Sequence, residues 1–317
     1  MALEIPTQIE LDGQYRALRE QAGLIERSNR RSILVAGEEA ADYLQGQLTN
    51  DVEALAAGEG AYATLLDRKG HMQGDMRVLR MVDELRLDTE DVAGDAVMRH
   101  LAMYKIGRDV SVEEIGDAEA ILSLIGPAAV EVAGAGPIGR ENTHRAARIE
   151  GITVTVVATD AGIDLIVATD DGEALRSALL ARGGEPVSEE AAEIVRIESG
   201  RPRFGREMTT ATIPQEAGIN ERAVSFSKGC YIGQETVARL HYRGKPNRHL
   251  RGLRLSVPVE SGDSVRLGER ELGLIGTAAI SPAHGPIALA ILRREAEPGT
   301  VVSVGDAASG EVVELPF

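Results

Sequence analysis

The sequence contains a single cysteine, Cys230, no tryptophan, and only 3% aromatic residues in 317. One thiol forms no internal disulfide, so no covalent staple holds the fold, and a reducing compartment is expected. A lone cysteine cannot build a four-thiolate iron–sulfur site. The six histidines include no His-x-x-x-His pair, so no resident metal is expected. With so few aromatics, the core must be assembled mainly from Leu, Ile, Val and Ala. Lysine is also scarce: Lys69, Lys105, Lys228 and Lys245 stand among 34 basic residues, against 50 acidic ones. The resulting charge of −16 excludes a general polyanion binder, because phosphate backbones are held chiefly by clustered positive charge, and no nucleic-acid partner is expected. No apolar run approaches the ~20 residues of a membrane span, so no membrane partner is expected either. The first residues, MALEIPTQIELDG, lack the basic region and apolar run of a secretory leader. A cytoplasmic location is the expectation.

What remains is ample for a folded protein of two or three domains, with 43% hydrophobic and 26% charged residues. Residues 14–25 place Tyr15, Leu18, Ala22 and Ile25 at helical spacing. Strands are expected at 32–36, 61–66, 72–81 and 84–88, with Asp67-Arg68-Lys69-Gly70-His71 as a hairpin turn. Helices are expected at 38–47 and 91–103. Residues 118–186 read as a β-α-β-β-α unit, and 185–188 can supply the last strand of a ferredoxin-like fold. Another helix spans 189–198, and a long irregular stretch, 200–226, follows it. Loops of that length inside compact domains are often functional. After Pro246 the pattern changes to short strands separated by Gly and Pro turns, the mark of a terminal β-barrel or sandwich.

The irregular stretch leads into Lys228-Gly229-Cys230-Tyr231-Ile232-Gly233-Gln234-Glu235. Good helix formers follow from Gln234, so Cys230 lies near a helix start, with Lys228 two residues away. Both effects favour a thiolate over a thiol. The competing reading is a small, buried, inert side chain.

The 228–235 run resembles the K-G-C-Y-x-G-Q-E signature of folate-binding YgfZ-type iron–sulfur assembly and repair proteins, relatives of the glycine-cleavage T-protein aminomethyltransferase. Four further segments carry the resemblance: Arg196-Ile197-Glu198-Ser199-Gly200 with Pro202, Phe204 and Gly205; Pro214-Gln215-Glu216; Ala238-Arg239 with Arg243, Gly244 and Arg248; and 45–51, Gln-Gly-Gln-Leu-Thr-Asn-Asp. The resemblance implies an α+β fold, a three-lobed T-protein-like ring. Its lobes would be a discontinuous folate-binding lobe (1–117 plus 187–245), a ferredoxin-like unit (118–186) and a C-terminal β-barrel (246–317). Tetrahydrofolate or a one-carbon derivative is the implied cofactor, and iron–sulfur client or assembly proteins are the implied partners. Lys228 and Cys230 would act at the folate channel in cluster assembly or repair. Glu198 would hold the pterin, or else brace the following loop. Tyr231 would stack on the ligand or simply pack. Arg239 and Arg248 would meet the folate's acidic tail or remain surface residues. T-proteins generally carry Asp where Cys230 stands, and a paired acidic element where this chain has only Asp75, in Gln73-Gly74-Asp75-Met76. Asp75 would contact the reactive folate nitrogen or face solvent. The alternative function is a folate-dependent aminomethyl- or methyltransferase.

Overall fold

A computed structural model describes residues 7–317. Eight α-helices and eighteen strands in three sheets occur among the described residues. In chain order the first part runs α1 (Gln8–Glu20), β1 (Gly23–Glu26), β2 (Arg31–Ala36), α2 (Ala40–Gln47), β3 (Gly60–Leu66), β4 (Met72–Arg80), β5 (Glu84–Thr89), α3 (Asp91–Tyr104) and β6 (Ser111–Glu114). Next come β7 (Glu119–Ile125), α4 (Ala129–Ala133), β8 (His144–Ile149), β9 (Ile152–Ala158), β10 (Gly162–Ala168), α5 (Thr169–Ala181), β11 (Glu185–Pro186) and α6 (Glu189–Glu198). The last part is α7 (Asn220–Ala223), α8 (Gln234–Arg243), β12 (Arg248–Leu255), β13 (Ser264–Leu267), β14 (Arg270–Leu274), β15 (Thr277–Ser281), β16 (Gly285–Arg293), β17 (Val301–Val304) and β18 (Ala308–Val313).

The chain divides into two compact units. The first takes the chain up to Gln45, then Asp51–Ala63 and Met76–Ala192; the second takes Gly46–Asn50, Thr64–Asp75 and Glu193–Phe317. In the first unit a six-stranded sheet runs β11-β1-β7-β10-β9-β8. Ala22, Leu24, Leu122, Leu124, Val156 and Leu165 lie in its core, with Leu175 and Leu179 of α5 packed on them. The observed order is β-α-β-β-β-α, with β8 added to the expected β-α-β-β-α, and the strand expected near 185–188 exists at Glu185–Pro186. It pairs with β1, however, and β1 lies where the periodicity predicts the end of a helix. The helix stops at Glu20, and Gly23 pairs with Ile125 and Glu185. A Cβ at Gly23 would come within 2.5 Å of Leu18, so this close return of the chain requires glycine. Non-local strand pairing overrides the local helical pattern. A second sheet has the order β3-β4-β5-β2-β6.

In the second unit a seven-stranded antiparallel sheet, β14-β13-β17-β18-β12-β16-β15, curls into a half-barrel. Leu253, Val265, Leu272, Ala288, Leu292 and Val312 fill its interior. β14 and β15 are separated at Ile275 and Gly276. A Cβ at Gly276 would sit 2.8 Å from the Glu207 side chain, and its amide bonds to Leu289 O, so the chain bends where glycine permits close contact. No helix among the described residues is long and apolar enough to cross a membrane.

Candidate functional site

All seven residues singled out from the sequence fall in the second unit: Asp75, Glu198, Lys228, Cys230, Tyr231, Arg239 and Arg248. The loop before α8 is fixed first by the short segment Gly46–Asn50. Thr49 Oγ1 donates to Ala223 O at 2.6 Å, and Asn50 Nδ2 donates to Arg222 O at 2.9 Å. The Ser225 and Ile232 amides donate back to Thr49 O and Gly46 O. Lys228 is 9% exposed, and its Nζ donates to Leu48 O and Asn50 O, both at 2.7 Å. The same ammonium lies 5.2 Å from the Tyr231 ring centroid. A buried ammonium is costly unless its hydrogens find acceptors, and two carbonyls supply them here. Two motifs distant in sequence, 45–51 and 228–235, are therefore one structural feature. Lys228 is directed at its carbonyls and at Tyr231, an arrangement that spacing along the chain did not reveal.

Cys230 is exposed, which rules out the buried, inert reading of its thiol. It lies four residues ahead of α8, outside the helix's first turn. Tyr231 is 7% exposed, and burial pushes its hydroxyl up to about 12. His241 stacks on Phe226 with ring centroids 3.7 Å apart, and Tyr242 meets both rings edge-on. Among the described residues, no three His, Cys, Asp or Glu side chains gather as a metal site.

Both carboxylates singled out from the sequence are buried. Asp75, on β4, is 8% exposed, so it does not face solvent. Glu198 ends α6 and is 4% exposed. Its Oε1 accepts from Ser281 Oγ at 2.5 Å, and that hydroxyl is itself held by the Ala283 and His284 amides. Its backbone carbonyl accepts from the Phe317 amide. Glu198 thus joins the end of α6 to the half-barrel rather than to the loop that follows it. Arg196, two residues earlier, bonds Glu193 and Glu207 and donates to Arg201 O, which orders the start of the irregular stretch.

Arg239 and Arg248 are both exposed. Arg248 lines a cavity of about 480 Å³ together with Lys69, His71, Glu216, Thr236 and Arg293. None of the other six singled-out residues lines it. One wall is the β3–β4 turn. Asp67 Oδ1 accepts from the Lys69 and His71 amides, and Gly70 takes φ +86°. A Cβ on Gly70 would meet Thr236 Cβ at 2.9 Å. Gly233, at φ +83°, would put a Cβ 2.5 Å from Asp67 O. The second glycine of the cysteine motif is therefore required by the close approach of this turn. Glu216 belongs to the Pro-Gln-Glu segment, but its place beside Lys69 and Arg293 depends on pairings far apart in sequence.

The sequence matches the GCVT N-terminal domain family over residues 6–228. The chain belongs to that family. An aminomethyltransferase of Saccharopolyspora erythraea is 28% identical over 330 residues, covering 96% of this chain and 89% of that protein. A chloroplastic protein of Arabidopsis thaliana, named as a transferase, is 27% identical over 300 residues, covering 90% of this chain and 68% of its own length. The fold matches the glycine cleavage aminomethyltransferase T of Bartonella henselae at a TM-score of 0.86, with 21% identity and coverage of 97% of this chain and 89% of that one. The T-protein side of the expected resemblance is thus shown. GCVT-family relatives carry transferase names, so the comparisons favour the reading first placed second to iron–sulfur maintenance.

Proposed function

We propose that this GCVT-family protein binds tetrahydrofolate and transfers a one-carbon unit to or from it. The observation that carries the reading is the burial of two carboxylates, Asp75 and Glu198, in one unit of a fold shared with an aminomethyltransferase. The donor and acceptor chemistry fits the cofactor. A buried carboxylate needs hydrogen-bond donors, and a pterin presents an amino group beside a ring N–H. In this reading Glu198 holds the pterin while Ser281 fixes its rotamer. Bound tetrahydrofolate supplies an amine nitrogen that carries the one-carbon unit. Asp75 orients that nitrogen and stabilises positive charge developing on it. Tyr231 packs beside the ligand, Arg239 and Arg248 meet its acidic tail, and Lys228 holds the supporting loop. The division into 1–117 with 187–245, 118–186 and 246–317 belongs to the same proposal, as does a cytoplasmic setting. Calorimetric titration with tetrahydrofolate tests it. Saturable binding, weakened at least about tenfold by Glu198→Gln, is expected, since hydrogen bonds to charged groups contribute about 1.5–3 kcal/mol. No binding by the unaltered protein would contradict it.

One observation favours a second reading. Cys230 is an exposed thiol in place of the acid general in T-proteins. In that reading the folate-bound protein supports iron–sulfur assembly or repair through Cys230. Complementation of a strain lacking the native protein tests it: Cys230→Ala should fold normally and fail to restore iron–sulfur enzyme activity. Full restoration would remove the thiol from the mechanism.

A further inference from the structure

We infer that the cavity beside the β3–β4 turn is a binding site for a small oxyanion. The ligand class is a molecule bearing a phosphate or carboxylate headgroup. The cavity is built by the turn, the 211–216 loop, the start of β12 and the end of β16. It collects three cations, Lys69, Arg248 and Arg293, against one acid, Glu216. That is a net charge of +2 with His71 neutral and Glu216 ionised, in a chain whose total is −16. Several other arginines hold carboxylates: Arg30, Arg31, Arg77, Arg86, Arg108 and Arg196. Among the described residues, Lys69, Arg248 and Arg293 form no ion pair.

A second observation is independent of the cavity. Arg248 and Arg293 are direct cross-strand partners in the β12–β16 ladder. Their side chains leave the same face of the sheet at neighbouring positions. Like charges placed directly opposite each other are destabilising. A bound oxyanion converts this repulsion into two charge-assisted contacts, because guanidinium groups match phosphate and carboxylate oxygens in pairs. Lys69 approaches from the turn as a third positive charge. Glu216 is half-buried in the same wall, where burial pushes its carboxyl upward, and Arg248 and His71 act in the opposite direction. The acid keeps the empty cavity from being wholly cationic. The cavity volume lies in the range of small-molecule sites and exceeds what a bare ion needs, so the natural ligand carries an organic body behind its headgroup.

The site shares Arg248 with the folate reading, and its remaining lining residues carry no folate role. The experiment is a titration of the full chain, without folate, with inorganic phosphate and separately with succinate, at constant ionic strength set by sodium chloride. Thermal unfolding and amide chemical shifts around Lys69, Glu216 and Arg293 are the readouts. Saturable shifts in at least one arm are expected. Arg293→Ala and Lys69→Ala, both exposed positions, should weaken binding at least fivefold without lowering stability in chloride, and Glu216→Gln should tighten it. The stronger arm assigns the headgroup to a phosphate or to a carboxylate. Responses no greater than those to chloride in both arms, or binding unaltered in both alanine variants, would overturn the inference. Loss of phosphate or succinate binding with folate binding retained would leave the proposed function standing; the reverse result would leave this site standing.

Discussion

Lys228 and Cys230 lie two residues apart and do different physical work. Lys228 is buried, and its ammonium is bonded to the carbonyls of Leu48 and Asn50. Replacing it with methionine leaves those carbonyls without that donor, and a loss of about 2–4 kcal/mol is expected in urea unfolding. Cys230 is exposed, so Cys230→Ala should change stability by no more than about 0.5 kcal/mol. A stability loss at Cys230 as large as that at Lys228 would contradict the placement of both. A larger electrostatic commitment sits in the first unit. Asp88 is fully buried on β5 between Arg30, at 2.5 Å, and Arg77. Arg77 also reaches Asp164 at 2.5 Å, and Ser123 completes the cluster by donating to Asp164. Burial acts against the charge on Asp88, but the two guanidinium groups outweigh it and hold its carboxyl far below the usual range. A carboxyl depressed in the folded state takes up its proton more readily in the unfolded chain. Its stabilising contribution is therefore complete above the unfolded value of about 3.9 and is lost as pH falls below that. Unfolding measured from pH 7 to pH 2 should show this loss below about pH 4. Asp88→Asn should remove that acid-side dependence and cost about 3 kcal/mol at pH 7, because two partly buried arginines lose their shared partner while keeping Glu90 and Asp164.

The elements follow local pattern where side-chain periodicity decides them and depart from it where distant chain decides. The β3–β4 turn was legible: Asp67 caps the Lys69 and His71 amides, and Gly70 supplies the positive φ. Gly70→Ala should cost about 1–3 kcal/mol, from backbone strain and from contact with Thr236, as read by the chemical denaturation midpoint. An unchanged midpoint would show that the turn relaxes freely. β8 was not legible. His144–Ile149 reads His-Arg-Ala-Ala-Arg-Ile, with only its two end residues buried, and becomes a strand by pairing with β9. β1 was masked by the helical spacing of Leu18, Ala22 and Ile25, although its order comes from β7 and β11. The candidate site divides in the same way. The motif residues could be named from the sequence, whereas the Lys228 carbonyl clamp and the Arg248–Arg293 pair depend on contacts between residues tens to nearly two hundred positions apart.

At the scale of the whole molecule, the GCVT-family match covers residues 6–228 and the shared fold covers 97% of the chain, while the paired acidic element that the resemblance leads one to expect has Asp75 alone in this sequence. One buried carboxylate can still stabilise positive charge on a reacting nitrogen, so loss of the second acid should lower the rate rather than abolish the chemistry. Removing the remaining acid should be far more severe, since a single donor or charge aimed at a transition state is worth roughly 10²–10³ in rate. The most direct measurement is turnover. Tetrahydrofolate is incubated with amine donors bearing a transferable one-carbon group, and methylene- or methyl-tetrahydrofolate is quantified over many enzyme equivalents. The account predicts sustained product formation that falls about a hundredfold or more in Asp75→Asn while calorimetry still detects folate binding. Folate binding without turnover on any donor, or turnover indifferent to Asp75, would contradict it.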